Sequence, residues 1–424
     1  MPPAYAWIDA HSPTNPMENA IDSSAHLPLA DWRILDLSSA VVGPYATQVL
    51  ADYGAEVTKL EQPSGDIIRW ISGRSPTPGM SGKFMHMNRN KRSIALDLKA
   101  AAGREAALEL ARRCDVFVHN MRSSAIRKLG LGFDDLRAVN PHIVYCAIVG
   151  FGSAGPYADR PAYDSILQGG TGLASLFAAT GGDPRYVPYV VVDRSAALMV
   201  ANAILVALLA QGRARQARYI EVPMFESYAA LLLSEHLYGA TFEPPIGTSG
   251  DRRLLDPNAR PVKTRDGHIC ITTNTDAQVM ALFDALGRPE LKGDSRFNTA
   301  VNRIDHIAEF FQIRADEIAR HDTAHWQAAL ARHDIPAMPC HTIDSLLDDP
   351  HVGAVGLVQR VRHPSQGIVK HINVPVSMTG YTPGLRHHAP RIGEQTRGIL
   401  RELGYDDARI QAMLDSGQAC APQD

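Results

Sequence analysis

Cysteine is scarce in this chain of 424 residues: Cys114, Cys146, Cys270, Cys340 and Cys420 are an odd set, widely spaced, with no C-x-x-C pair. That distribution excludes a disulfide framework and a zinc ribbon, and it suits a reducing compartment, so a cytoplasmic protein is expected. A surplus of positive charge is missing as well. With 42 Lys and Arg against 45 Asp and Glu, the net charge is -3, which offers no basic surface to nucleic acid or to an anionic membrane. The N-terminal segment has neither a basic start nor an apolar core, so no signal peptide is expected. The longest apolar run, Ala196 to Gln211, contains Asn202 and is shorter than the roughly 20 residues that span a bilayer. It reads as a buried helix. Several catalytic signatures are absent too: no Walker A loop, no H-E-x-x-H and no G-x-S-x-G. The first turn after a strand reads Ala40, Val41, Val42, Gly43, Pro44, without the glycines that admit a dinucleotide pyrophosphate. No metal site and no tightly bound cofactor are expected.

What is present is an ordinary globular composition, 45% hydrophobic and 21% charged, in a chain long enough for two lobes. From Arg33 the pattern alternates strand and helix. Arg33 to Leu37 and Glu56 to Leu60 read as strands around a helix, Tyr45 to Tyr53, stopped by Gly54. Helix Gly103 to Arg113, strand Val116 to His119, helix Ser124 to Leu129 and strand Ile143 to Val149 follow. A doubly wound, Rossmann-like α/β domain with a parallel sheet is therefore expected, together with a smaller α+β domain. The expected divisions are an N-terminal arm at 1–29, the large domain at 30–240, a small domain at 241–335, and a return to the large domain at 336–424. Within the small domain, Pro261 to Thr273 reads as a hairpin turning at Asp266 and Gly267, and Arg303 to Arg320 as one helix.

Two features carry chemistry. Asp193 stands between a strand-like Tyr189 to Val192 and the apolar helical run, a position with two readings. It is either a helix N-cap or an anionic nucleophile held ionised at the positive end of a helix. The basic run Arg89, Lys91, Arg92 leads into a strand-like Ser93 to Leu98, and reads either as a solvated charged loop or as a phosphate site.

Several segments together carry a resemblance. These are Trp32 to Glu61 (WRILDLSSAVVGPYATQVLADYGAEVTKLE), Gly65-Asp66, Asn88 to Lys99 (NRNKRSIALDLK), His119 to Gly132 (HNMRSSAIRKLGLG), Gly150 to Asp164 (GFGSAGPYADRPAYD) and Ala389 to Glu394. In order and spacing the chain resembles the class III (family III) CoA-transferases from about residue 31 to its C-terminus.

That resemblance implies an interlocked homodimer and a reaction on coenzyme A esters, with CoA or acyl-CoA as substrate. It places the nucleophile at Asp193, which attacks a donor thioester to give a mixed anhydride, then an aspartyl-CoA thioester that a free carboxylic acid consumes. For CoA binding it points to Val41, Val42, Leu96, Asp97, Leu98, Lys99, Asn120, Met121, Arg122 and Lys128, with Tyr163 lining the pocket. Gln62 replaces a frequent Arg, and Arg69, Arg89 and Arg92 are the candidates to compensate. A Gly-rich loop that closes the site matches Gly247 to Gly250, followed by Arg252 and Arg253, a pair suited to the distal carboxylate of a dicarboxylic acceptor. The alternatives on the same fold are an α-methylacyl-CoA racemase and a catalytically silent CoA-binding protein. Racemisation needs a base where Tyr163 stands, and a phenol with a pKa of about 10 is a poor one.

Overall fold

A computed structural model describes residues 27–422; the expected N-terminal arm lies outside them up to residue 26. The strands are β1 (Arg33–Asp36), β2 (Glu56–Glu61), β3 (Lys91–Leu96), β4 (Val116–His119), β5 (Val144–Val149), β6 (Arg218–Pro223), β7 (Val262–Lys263), β8 (His268–Ile271), β9 (Ala337–Pro339), β10 (Val358–His363), β11 (Gly367–Ile372) and β12 (Ala419–Cys420). One seven-stranded sheet runs in the order β12-β3-β2-β1-β4-β5-β6. The pairs from β3 through β5 are parallel, and β12 joins β3 antiparallel. Apolar runs such as Val116, Phe117 and Val118 are wholly buried, as strands covered on both faces must be. The order reverses between β1 and β4, which is where a doubly wound sheet opens a crevice at the carboxyl ends of its strands.

Contacts group the chain into two compact units. The first comprises the chain up to Ala147, Val200–Ile220 and everything from Gly356 onward; the second comprises Ile148–Met199 and Glu221–Val355. In the second unit, β7, β8 and β9 form an antiparallel sheet. Its hairpin turns at Asp266 and Gly267 as expected. Ile269, Leu282, Phe283, Phe297, Phe310, Ile318 and Leu330 form its core, with the buried Trp326 indole donating to the Ile318 carbonyl at 2.7 Å.

Three local expectations change. The single helix over Arg303 to Arg320 is two, Ala300–Asp305 and Ile307–Ile318, because His306 leaves helical dihedrals and its ring turns to Glu309. Tyr189 to Val192 is not a strand, since the helix begins at Val191 and runs to Gln211. At 21 residues that helix is long and apolar enough to cross a membrane by length and composition, which the shorter apolar run had excluded. Even so, Val192, Ala196, Ala197, Val200, Ala201, Ile204, Ala207 and Leu208 are buried along it, a stripe with the three- and four-residue spacing of a core-facing helix.

Candidate active site

Four parallel strands of the first unit deliver their C-terminal ends to one cavity of 470 Å³. Leu37, Ser38 and Ser39 enter it from β1, Leu60 to Gln62 from β2, Leu96 to Lys99 from β3, and Met121, Ala125, Lys128 and Leu129 from beyond β4. Its walls are largely apolar, and both ammonium-bearing residues at its edge, Lys99 and Lys128, are exposed. Of the residues expected to bind CoA, the cavity thus gathers Leu96, Asp97, Leu98, Lys99, Met121 and Lys128.

Asn120, Val41, Val42 and Arg122 do not line it. Asn120 accepts from the Ser39 amide at 2.9 Å and donates to the Ser39 carbonyl at 2.8 Å, clamping the turns after β1 and β4 together across the switch point. Val41 and Val42 are buried at the start of the Val42–Asp52 helix and do not line the cavity. Arg122 is exposed at the N-cap of Ser123–Lys128 and makes no side-chain cap bond. The Asp97 carboxylate folds its own turn by accepting from the Lys99 amide at 2.9 Å. Behind that turn a Cβ on Gly103 would meet the Asp97 carbonyl oxygen at 2.1 Å, so only glycine lets the next helix pack this close.

Beneath the cavity the charges are buried and paired, which corrects both readings of the basic run. Lys91 is fully buried, and its Nζ donates to Asp36 Oδ2 (3.0 Å), Thr47 Oγ1 (2.8 Å), Asn88 Oδ1 (3.0 Å) and the Pro44 carbonyl (2.8 Å). Arg89 makes a two-point pair with Asp52 at 2.9 and 2.6 Å. Arg69 does the same with Glu61 at 2.8 and 2.6 Å and stacks on Phe84. Lys59 bridges Asp66 and the Ser38 carbonyl, each at 2.9 Å. Burial alone would raise the Asp36 carboxyl, but Lys91 and Lys59, with the Ser38 and Thr47 hydroxyls, hold it well below the usual carboxylate range. Burial pulls Lys91 down to about 8, so it stays charged at neutral pH. Arg69 and Arg89 are therefore committed to internal carboxylates, and Arg92 is paired with Glu56 and Glu402. None of the three is a spare cation for the position of Gln62. The network's output is the turn after β1: Asp66 Oδ1 accepts from the Ala40 amide at 2.9 Å, holding Ala40 at φ 66°.

Asp193 lies in the second unit, in the first turn of the Val191–Gln211 helix. A second carboxylate serves the start of that helix. Asp164, buried, reaches over so that its Oδ1 accepts from the amides of Val192 (2.8 Å) and Asp193 (3.0 Å). Gln168 donates to Asp164 Oδ2 at 2.6 Å, and its amide also bonds Val187 and Tyr189, so the approach to the helix is tied down on both sides. Sequence reading missed this role of Asp164, the last residue of the Gly150 to Asp164 motif, because nothing local pairs it with a helix starting 27 residues later. Tyr163, at the N-cap of Asp164–Gly170, is 75% exposed and belongs to this unit.

The loop carrying Gly247 and Gly250 also lies in the second unit. Gly247 packs so closely that a Cβ on Gly239 would meet its Cα at 2.6 Å, and Gly250 adopts φ +100°. Asp251 caps the short Arg252–Leu255 helix and pairs with Arg253 at 2.9 Å, while Arg252 is exposed, 3.9 Å from Asp305. Arg253 thus already holds a carboxylate of its own loop.

A doubly wound sheet with a cavity at the carboxyl ends of its strands, and no glycine fingerprint for a dinucleotide, defines an α/β fold outside the dinucleotide-binding pattern. The chain belongs to CoA-transferase family III, whose family model matches residues 29–396. It is 33% identical to the succinyl-CoA:glutarate CoA-transferase of Mus musculus, over 93% of this chain and 91% of that one. It is 31% identical to the succinate–glutarate CoA-transferase of Agrobacterium fabrum, over 89% and 96%. Among solved structures, a CAIB/BAIF family protein from Brucella suis superposes with a TM-score of 0.76 at 28% identity, covering 89% of this chain and all of that one.

Proposed function

We propose that this enzyme moves CoA between a dicarboxylic acyl-CoA and a free dicarboxylic acid, with Asp193 as the covalent carrier. The observation that carries the reading is the arrangement at the helix start. Asp193 stands in the first turn of the Val191–Gln211 helix, where the helix dipole favours its charged form, and Asp164 accepts from the amides of Val192 and Asp193, which fixes that turn. In the proposed reaction its oxygen attacks the thioester carbonyl, the C–S bond breaks, and CoA leaves as thiolate. The thiolate then attacks the aspartyl carbonyl of the anhydride, releasing the donor acid and leaving an aspartyl-CoA thioester. An acceptor carboxylate reverses both steps and regenerates Asp193. The thioester energy is retained throughout. The names of the mouse and Agrobacterium relatives support succinyl-CoA as donor and glutarate as acceptor, to be tried first. Mass spectrometry of the CoA esters formed from a panel of donors and acids tests this, and the reading fails if no dicarboxylate pair gives a new ester.

For CoA, the proposed seat is the first-unit cavity, its apolar walls taking the base and Lys99 and Lys128 the phosphates as point charges. Lys99→Ala with Lys128→Ala is expected to raise KM for acyl-CoA roughly tenfold, more steeply at low salt, with kcat little changed. Unchanged KM would move the phosphates elsewhere. The proposed assembly is a homodimer, supported by apolar side chains left exposed on two helices: Leu198, Val206 and Leu209, and Leu231 and Leu233. Sedimentation is expected to give twice the chain mass; a stable monomer contradicts it.

A further inference from the structure

Four arginines are buried among the described residues: Arg69, Arg89, Arg303 and Arg314. Three have a carboxylate partner, namely Glu61, Asp52 and Asp276. Arg314 does not. Only 5% exposed, it has no ion pair among the described residues. It reaches two backbone carbonyls, of Ile271 and Asn258, at the long distances of 3.3 and 3.4 Å, and its Nε–H is buried without a partner. Burial pulls it down to about 10, with only the charge of Asp256 acting the other way. A buried guanidinium left this way is costly unless an anion completes it.

Space for that anion is next to it. Arg314 lines a cavity of 410 Å³ within the second unit, in the size range of small-molecule sites. Phe310 and Phe311, four and three residues before Arg314 on the Ile307–Ile318 helix, flank it, the Phe311 ring 4.4 Å from the Arg314 guanidinium. Ile304, Ile307 and Leu254 continue the apolar wall, while Thr272, Thr273 and Asn274 supply hydroxyl and amide groups. The other cations of the lining differ from Arg314: Arg303 and Arg253 are already paired, and Arg260 is exposed.

We propose that this cavity binds a small organic carboxylate, its charged end on Arg314 and its apolar body against Phe310, Ile304 and Ile307. The site is separate from the cavity assigned to CoA, which lies in the first unit, and it does not depend on the transfer reaction. Planar carboxylate matches the guanidinium fork, whose Nη1 and Nη2 each give one N–H to a long backbone bond and keep a second, and the apolar wall selects an acid with a hydrocarbon body over inorganic phosphate.

Calorimetric titration of the full chain with benzoate tests this, with benzyl alcohol and inorganic phosphate as controls. Expected is one saturable benzoate site per chain, with both controls at least tenfold weaker. Arg314→Met is expected to weaken benzoate at least tenfold. Because that variant removes a buried side chain, Ala300→Trp provides a second arm: it fills the cavity from an exposed position of the lining, leaves Arg314 in place, and is expected to weaken benzoate equally. Asp193→Ala is expected to bind benzoate as the wild type does. The proposal is overturned by absence of saturable binding, by benzyl alcohol or phosphate binding as tightly, or by benzoate affinity that Ala300→Trp leaves within threefold. Loss of binding in Asp193→Ala with retention in Ala300→Trp also overturns it, since the acid then sits elsewhere.

Discussion

Asp193→Ala is expected to reduce CoA transfer by roughly 10⁴-fold or more, because it removes the atom that would carry both covalent intermediates. Incubated with acyl-CoA and then hydroxylamine, the wild type is expected to yield a modified Asp193 peptide and the variant none. The same variant is expected to stay folded, since Asp164 still accepts from the amides of Val192 and residue 193. Asp164→Ala should show the complementary pattern, a stability loss of about 1–2 kcal/mol from the missing cap with an adduct still formed on Asp193. An Asp193→Ala enzyme that transfers CoA at a rate near wild type would rule out the carrier role. If instead it unfolds while Asp164→Ala does not, Asp164 is not the residue that holds the helix start.

The second large effect concerns stability. Asp36→Ala is expected to cost about 3–5 kcal/mol in urea denaturation, because it strands the Lys91 ammonium inside the sheet together with the donors of Ser38 and Thr47. Replacing both partners, Asp36→Leu with Lys91→Met, is expected to cost distinctly less, since no uncompensated charge remains. The sign with pH follows from the depressed carboxyl of Asp36: its contribution is complete above the ordinary value of about 4 and is lost as the pH falls below it. Equal costs for the single and double variants would show that the ion pair itself, not the stranded charge, sets the energy.

How much of this could be read from the chain depends on the range of the interaction. The strands Val116–His119 and Val144–Val149 are legible because burial on both faces leaves continuous apolar runs, and Gly54 stops the first helix at φ +114°, as its position suggests. Leu96 to Lys99, Met121 and Lys128 come together because the strand order fixes which turns share the crevice. The role of Lys91 is not legible. A lysine in a run of cations reads as solvent-facing until the sheet sets Asp36, from a strand 55 residues earlier, against it. Asp164 and Arg314 are hidden for the same reason, one defined by a helix it caps from afar, the other by a partner it lacks. β12 escapes because two residues are too few for any periodicity.

That short strand has a consequence for how the molecule is made. Ala419 and Cys420 cover the edge of β3 from about three hundred residues downstream, and the Cys420 carbonyl lies where a Cβ on Gly393 would be, 2.1 Å away. During translation β3 emerges early, with its outer hydrogen-bonding row bare, and no earlier segment occupies that place in the sheet. The nascent chain therefore carries an open edge, competent for pairing with other chains, until the segment around Ala419 follows. The sheet of the first unit is complete only once Ala419 and Cys420 have been made and have paired with β3.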